Sequence, residues 1–491
     1  MGKPFQTVNS ARPKRSAFDL SYSKIFTCDM GQMIPIMCDE MVPGDKFKVG
    51  NEIVIRMQPL VAPILHEINA YVHYFFVPTR LMWDGWEDFI TGGVTGNDAS
   101  TIPRWEEPAN TLGSLWDFFG FPILVAPQGA YPLDFPRRAY NMVYNEYYRD
   151  QTLQAPIGLN NELILNRAWT KDYFTSALPW QQRGTAPSLP LTGSIPVYAS
   201  HIGSVSGTDS AHISGALYIT SLEDFEGQFQ ASLNNATTFN VADLRLAFQV
   251  QKWMERNARS GVRYTEFLKT HFGENPRDDR LQRPEYVGGS KSPVIISETL
   301  STAETTVAPQ GNMAGHGITA SSQFCGSYHA KEFGYMIGIL SVMPKPMYEQ
   351  GINRQWLRRS KFDFFFPEFA QLSEQAIETA EIFACDTAFE NQVIFGYQGA
   401  YDEMRYKPNM VCSQMRIGPS VAPVSNSFAY WHLARNFATA PELNESFIKC
   451  VPDKRIFAVP SEPGLIVSFG NLIKAIRPLP VSSEPGMIDH H

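Results

Sequence analysis

The sequence predicts a mainly β protein with antiparallel sheets, and three observations carry that prediction. Apolar residues alternate with period two in several blocks bounded by Pro and Gly, helical periodicity is confined to islands, and no strand-helix-strand succession of the kind that builds a parallel sheet runs along the chain. Length and composition agree. The 491 residues suffice for a sizeable core, and 18% charged with 13% aromatic residues exclude a disordered chain. Length alone suggests about three domains, although large all-β chains often build around one body.

The elements follow in order. Residues 52–57 (EIVIRM) alternate Ile53, Ile55 and Met57 with Glu52, Val54 and Arg56, as a half-buried strand does. In residues 68–78 (INAYVHYFFVP) both faces become apolar toward the end, which predicts a strand covered on both sides. Leu112, Leu115, Trp116 and Phe119 recur at helical spacing, as do Tyr140, Val143, Tyr144 and Tyr147 after the helix-starting Pro136. Asp243 is placed to cap a longer helix carrying Leu246, Val250, Trp253 and Met254, and Leu372, Ala376, Ala380 and Phe383 mark a fourth. Residues 333–342, 392–397, 455–459 and 465–469 read as further strands between Pro- and Gly-containing loops. Eight strands of ordinary length use only roughly 50 to 80 residues. Most of the chain is therefore loop, inserted helix or arm, an extravagance for an enzyme and normal for a subunit that wraps its neighbours.

A net charge of −8 argues against a whole surface built for nucleic acid, so any such contact must be local. The first 24 residues are the local exception: Lys3, Arg12, Lys14, Arg15 and Lys24 stand against Asp19 alone. They read as a basic arm, which fits either an ordinary solvated terminus or a segment that touches phosphate. Residues 184–244 are the reverse. They contain no Lys or Arg, carry Asp209, Glu223, Asp224, Glu226 and Asp243, and are rich in Ser, Thr, Gly and Ala. Phosphate would repel such a segment, which places it facing solvent.

The longest strongly apolar stretch, residues 333–344 (FGYMIGILSVMP), is far below the ~20 residues that a spanning helix needs. The N-terminus has no apolar signal core, so the expectation is a chain made in a cytosol. Six cysteines (Cys28, Cys38, Cys325, Cys385, Cys412, Cys450) without a C-x-x-C pair read as reduced, mostly buried thiols.

Searches for catalytic patterns give near misses. His66-Glu67 opens like a zincin motif, but Ala70 stands where the second His belongs and the local pattern is strand, so His66 and His73 read as structural or interface histidines. Gly288-Gly289-Ser290-Lys291-Ser292 lacks the Gly that precedes the Lys of a phosphate loop and runs into Pro293, which favours a turn. The glycine-rich residues 311–317 lack dinucleotide-loop spacing, and no nucleophile elbow is present. Glu374, Glu378 and Glu381 read as the solvated face of the fourth helix.

Longer strings identify what short motifs do not. Residues 26–31 (FTCDMG), 37–93 (from MCDEMVPGDKFKVGNEIVIRM to WEDFITGG), 244–273 (LRLAFQVQKWMERNARSGVRYTEFLKTHFG), 280–293 (RLQRPEYVGGSKSP), 309–317 (PQGNMAGHG), 395–409 (FGYQGAYDEMRYKPN), 430–438 (YWHLARNFA) and the terminal IKAIRPLPVSSEPGMIDHH resemble the major capsid proteins of the gokushoviruses. These are small single-stranded DNA bacteriophages of the Microviridae. The resemblance covers nearly all of the chain apart from the first residues and about 184–241.

It implies one capsid subunit over 1–491, an eight-stranded antiparallel jelly roll, the viral capsid β-sandwich, with long inter-strand loops, a few inserted helices and a surface insertion. Such subunits form pentamers and a T=1 icosahedral shell around a circular single-stranded DNA genome. The implied partners are further copies of the chain, the packaged DNA, an internal scaffolding protein, a small basic DNA-binding protein, a DNA pilot protein and a bacterial surface receptor. The implied location is the virion, with assembly in the host cytoplasm and no membrane insertion. Within 1–24, Lys3, Arg12, Lys14 and Arg15 are the candidate DNA contacts. The acidic stretch 184–241 matches the family's three-fold protrusion, proposed to meet the host, with Ser206, Asp209, Glu223, Asp224 and Glu226 as candidate exterior residues. No enzyme activity, catalytic residue, cofactor or metal is implied. The rival from another class is a carbohydrate-binding or carbohydrate-active β-sandwich, which would be monomeric and carry paired carboxylates in a cleft.

Overall fold

Strict alternation buries one face of a strand and leaves the other wet, and it is cleanest in two strands at opposite ends of the chain. In Lys46–Met57 the side chains of Phe47, Val49, Ile53, Ile55 and Met57 are buried, while Lys46, Lys48, Glu52, Val54 and Arg56 are exposed. Leu465–Arg477 repeats the pattern, with Leu465, Val467, Phe469, Ile473 and Ala475 inward. The computed structural model describes residues 15–94, 99–106, 108, 111–123, 131–187, 197–201, 227–231, 241–260, 263–302, 304, 310–370, 374–417 and 427–481. Its strands in chain order are β1 Ser16–Asp19, β2 Tyr22–Cys28, β3 Ile34–Met41, β4 Lys46–Met57, β5 Ile68–Pro78, β6 Val197–His201, β7 Gly227–Ala231, β8 Glu285–Pro293, β9 Ile295–Leu300, β10 Met313–His329, β11 Gly334–Pro344, β12 Glu374–Glu378, β13 Ile394–Gly399 and β14 Leu465–Arg477.

The chain divides into two compact units, Met1–Gln181 with Gly261–His491, and Gln182–Ser260. The second holds the β6-β7 hairpin and the helix Val241–Arg259, and the stretch expected as an insertion falls within it. In the first unit one sheet runs β1-β14-β4-β10-β9 with β2 also on β14, and another runs β3-β11-β5-β8. Every pairing in them is antiparallel. The chain enters the first sheet with β1 and β2, crosses to β3, returns with β4, crosses to β5 and β8, returns with β9 and β10, crosses to β11 and ends in the first sheet with β14. This is jelly-roll connectivity, as the resemblance implies. Three polar bridges tie the sheets through their shared core. Asn51 Nδ2 donates to Ser290 Oγ at 2.7 Å, Tyr74 OH to Gly50 O at 3.3 Å and Asn471 Nδ2 to Ile36 O at 3.0 Å.

The second sheet is covered on both faces, as β5 led one to expect. Ile68, Ala70, Val72, Tyr74 and Phe76 join the sandwich core, whereas Phe75 and Val77 face a second cluster with Trp105, Trp116, Phe135, Tyr140 and Tyr144. The helix Phe135–Val143 carries Pro136 in its first turn and lays Phe135, Ala139, Tyr140 and Val143 on that sheet. Tyr140 OH then locks the layers, donating to Met33 O at 2.9 Å and accepting from Leu165 N at 3.0 Å.

Several expectations are corrected. The fourth helix is instead β12, paired with β13, followed by a single 3₁₀ turn at Thr379–Glu381; Leu372 lies outside the described residues. Its supposed solvated acids are engaged. Glu381 is 5% exposed and bonded by Arg354 and Tyr173, and Glu378 is forked by Arg359. Residues 455–459 form a loop with one isolated bridge, from Leu60 to Phe457. The GGSKS string lies inside β8, not in a turn. A Cβ at Gly288 would sit 2.0 Å from Cys325 O and one at Gly289 2.4 Å from Val72 O, so the glycines serve close strand approach. The helix from Val241 already contains Asp243 in its first turn. All six cysteines are free, but only Cys28 and Cys450 are fully buried and Cys412 is exposed.

His66 and His73 are structural, as read from the strand pattern. His66 Nε2 lies 2.7 Å from Lys345 O and Nδ1 accepts from Leu433 N at 3.4 Å, so the neutral Nε2-H ring satisfies both neighbours. A second proton would oppose the Leu433 amide. His73 Nδ1 lies 2.8 Å from Tyr148 OH. Burial, the largest cause for each, pushes both imidazoles down to about 4. A folded value below the unfolded one means that the unfolded chain takes up protons first. Stability is therefore full above about 6.5 and is lost as the pH falls toward 4. Glu349 and Glu381, raised by burial, act in the opposite sense, so the comparison must be with a variant. At pH 5 the His66→Gln protein should have escaped a proton-linked loss of about 2 kcal/mol that wild type suffers relative to pH 7. Denaturant melts of both proteins at the two pH values measure it; parallel losses would refute the assignment.

Candidate nucleic-acid interface

The outer face of the first sheet inherits the even-numbered residues of β4 and β14, and register decides which of them meet. Ile476, Lys46 and His329 stand in one cross-strand row, and Lys474, Lys48 and Ser327 in the next. Arg15 precedes β1, whose residues pair with the same end of β14, and it is exposed. Desolvation and then the positive charges of Lys46, Arg15 and Lys331 hold the His329 imidazole below its ordinary value, which places all four within one field. Ala17, Lys46, Lys48, His329, Lys474 and Ile476 line a shallow groove of about 680 Å³.

The charge there is unbalanced. None of Arg15, Lys46, Lys48, Lys331 and Lys474 forms an ion pair within 4.0 Å among the described residues. Asp19, opposite Lys474 in register, is the acid in the groove, and its carboxylate accepts from the Ser21 amide at 3.0 Å and from the Ser21 hydroxyl. Those bonds hold it below the usual carboxylate range. Edge-strand lysines often serve to block aggregation, but β4 and β14 are interior strands. That explanation does not reach Lys46, Lys48 or Lys474.

One row inward, Leu472 and Phe324 flank Gly50. Phe324 is 69% exposed. The register shift between Phe324 and Gly326 inserts one extra residue, Cys325, and a bulge of this kind re-aims the side chains beside it. With no side chain on Gly50, the ring stands open beside the cations. Lysines supply point charges and an exposed ring supplies a stacking face, the combination that binds a single-stranded polyanion without reading sequence.

Of the residues singled out from sequence, the structure places Arg15 at this groove, while Lys3, Arg12 and Lys14 lie outside the described residues, as do Ser206, Asp209, Glu223, Asp224 and Glu226. The expected arm is shorter than 1–24, because β1 and β2 build its second half into the sheet. Lys24 is thereby turned partly inward: its Nζ donates to Phe118 O at 2.5 Å and burial lowers its pKa. Lys46, Lys48, Lys474, Lys331 and His329 were missed. Their signal was the alternation of Lys with core residues in KFKV and IKAI, but nothing local says that strands over 400 residues apart are neighbours. Among the described residues no three His, Cys, Asp or Glu side chains gather as a metal site, and no helix is long and apolar enough to cross a membrane.

Comparison with known proteins fixes the family. A family model described as capsid protein (F protein) matches residues 6–487. The chain belongs to that capsid protein family. It is 32% identical to the capsid protein VP1 of Chlamydia phage 1, over 99% of this chain and 98% of the relative. With the VP1 of Bdellovibrio phage phiMH2K it shares 34% identity over 98% and 97%, and with that of Spiroplasma virus 4 it shares 29% over 96% and 95%. The gokushovirus resemblance is thus confirmed. The chain is a structural protein of a virion that assembles with its own copies into a shell, not an enzyme, and the carbohydrate-active reading is set aside.

Proposed function

We propose that this chain forms a T=1 icosahedral shell from pentamers around circular single-stranded DNA, and that the basic groove faces that DNA. The observation that carries the reading is the groove itself: on a chain of net charge −8, five basic side chains without an ion pair gather at one end of the first sheet, and three of them, Lys46, Lys48 and Lys474, share its outer face with an open Phe324. Lys3, Arg12 and Lys14, which precede Arg15 in sequence, are assigned to the same DNA by their charge. A net-negative subunit cannot neutralise a genome. Cations, the arm, this patch and a small basic DNA-binding protein share that task, while an internal scaffolding protein and a DNA pilot protein complete assembly in the host cytoplasm. Residues 184–241, which contain no Lys or Arg, form an exterior three-fold protrusion that meets a bacterial receptor.

The test is salt-dependent binding of the purified protein to oligo(dT). Each phosphate deprived of its lysine makes log affinity against log salt shallower by about 0.7, so Lys46→Ala/Lys48→Ala/Lys474→Ala should reduce the slope by about 2 with no change in melting temperature. An unchanged slope would remove the groove from DNA binding. Replacing Lys3, Arg12, Lys14 and Arg15 by Ala should reduce packaged DNA per particle, read by the ratio of absorbance at 260 and 280 nm, and leave the shell intact. Deleting 184–241 should yield particles that form but attach poorly to cells; loss of all particles would instead place that segment in the shell wall.

A further inference from the structure

Four stretches of the first unit, 173–174, 348–356, 381 and 403–416, build a cavity of about 430 Å³ whose walls include Glu349, Arg354, Trp356, Glu381, Glu403 and Tyr406. Its floor is acidic and incompletely bonded. Glu349 is 4% exposed; Oε2 accepts from Ile417 N at 3.0 Å, and Oε1 has no hydrogen-bond partner. Glu403 is 5% exposed; Oε1 stands 3.9 Å from Arg358, and Oε2 has no partner. Leaving a buried carboxylate oxygen unpaired costs more than an ordinary hydrogen bond returns, so the floor is unfinished. Glu381, by contrast, is fully engaged by Arg354, Tyr173 and the Glu378 amide.

The rim is apolar and wet. Trp356, Tyr406 and Met410 stand exposed around the mouth, and Phe362, Phe364, Phe365 and Phe366 continue the exposed surface along the same loop. The rings are held in place. Phe362 and Phe366 pack edge-on against Phe369, each with centroids 6.0 Å apart, and Phe365 packs on Tyr401 at 5.1 Å. Two of the neighbouring charges are paired, Arg354 with Glu381 and Arg359 with Glu378, while the Lys361 ammonium lies 5.0 Å over the Phe362 ring. Covering about half of these six rings, at roughly 150–250 Å² each, removes about 450–750 Å² from water. That is more than half of the ~800 Å² that one side of a stable interface supplies, and it matches the composition of an interface core.

We propose that this aromatic-rimmed cavity is an interface between copies of this chain, in which a Lys or Arg side chain of a second copy seats in the mouth above the acidic floor of Glu349 and Glu403. The inference rests on the reading of the chain as a shell subunit. The negative charge of the floor disfavours a nucleic-acid occupant and favours an ammonium or guanidinium at the mouth, and the exposed rings supply the area that a lone ligand would not cover.

The test uses the full chain in the system that yields wild-type particles, with shells counted by electron microscopy after size-exclusion chromatography. Trp356→Ser and Phe362→Ser change exposed rings, and Glu349→Gln/Glu403→Gln keeps size and acceptor while removing charge. Each should lower shell yield roughly tenfold or more, the change expected for one interface hot spot, with the subunit's melting temperature unchanged. Wild-type yields in all three variants would overturn the proposal. Hydrogen exchange supplies a readout free of mutation: amides over 353–369 should be protected in shells relative to free subunits, and equal exchange in both would also overturn it. A wild-type chain that forms no shell at all would sink the shell reading itself, an outcome distinct from failure of the variants.

Discussion

The sandwich depends on closure by its last strand. β14 pairs with β1 and β2 from the start of the chain on one side and with β4 on the other, so until the C-terminal strand arrives the first sheet lacks its middle. The closure is pinned at two depths. Asn471 reaches across the core to Ile36 O, and Arg477 clamps Asp45, whose side chain is wholly buried, at 2.9 Å. Pairings at such sequence separation are entropically costly and slow to form. The basic groove is a product of that closure, because Lys474 meets Lys46 and Lys48 only when β14 lies beside β4.

The second sheet explains what the rest of the chain is for. Buried on both faces, it must be roofed by segments between its strands. The loops answer with aromatic clusters of their own, as where Trp105 meets Trp116 edge-on at 5.1 Å and Phe121 leans on Trp116 at 4.6 Å. A further core gathers Tyr173, Phe174, Tyr348, Ile377 and Phe395. These loops are thus packed layers instead of tethers, and the high aromatic content follows from them. Excess aromatic surface that finds no internal partner, as at Trp356 and Phe362, is left at the outside.

Legibility in the sequence followed the range of the physics. β5 was readable to the residue because its two faces are both apolar, and the helix after Pro136 because proline fixes the first turn. The false helix at Leu372, Ala376, Ala380 and Phe383 had the right spacing for the wrong reason. Ile377 and Ala380 are buried through pairing with β13 and a 3₁₀ turn, a tertiary partner that no local window contains. The same blindness hid the buried roles of Glu381 and Glu403, since a carboxylate in a string of acids reads as solvated until its arginine is seen across the loop. The jelly roll came from the family strings, not from periodicity, and the groove from register, which no string encodes.

Charge in this protein is segregated. Buried acids line one cavity, cations without ion pairs gather at one end of the first sheet, and the net is −8. Screening confines each field to about 10 Å at ordinary ionic strength, so a polyanion meets attraction at the groove and net repulsion over an acidic surface elsewhere. Lysines reading no base edge make such an attraction indifferent to sequence, as packaging a whole genome requires. The same arithmetic acts between copies. On the proposed reading, each copy adds an uncompensated basic groove to the inside of the shell, and DNA bound there offsets charge that assembly would otherwise concentrate.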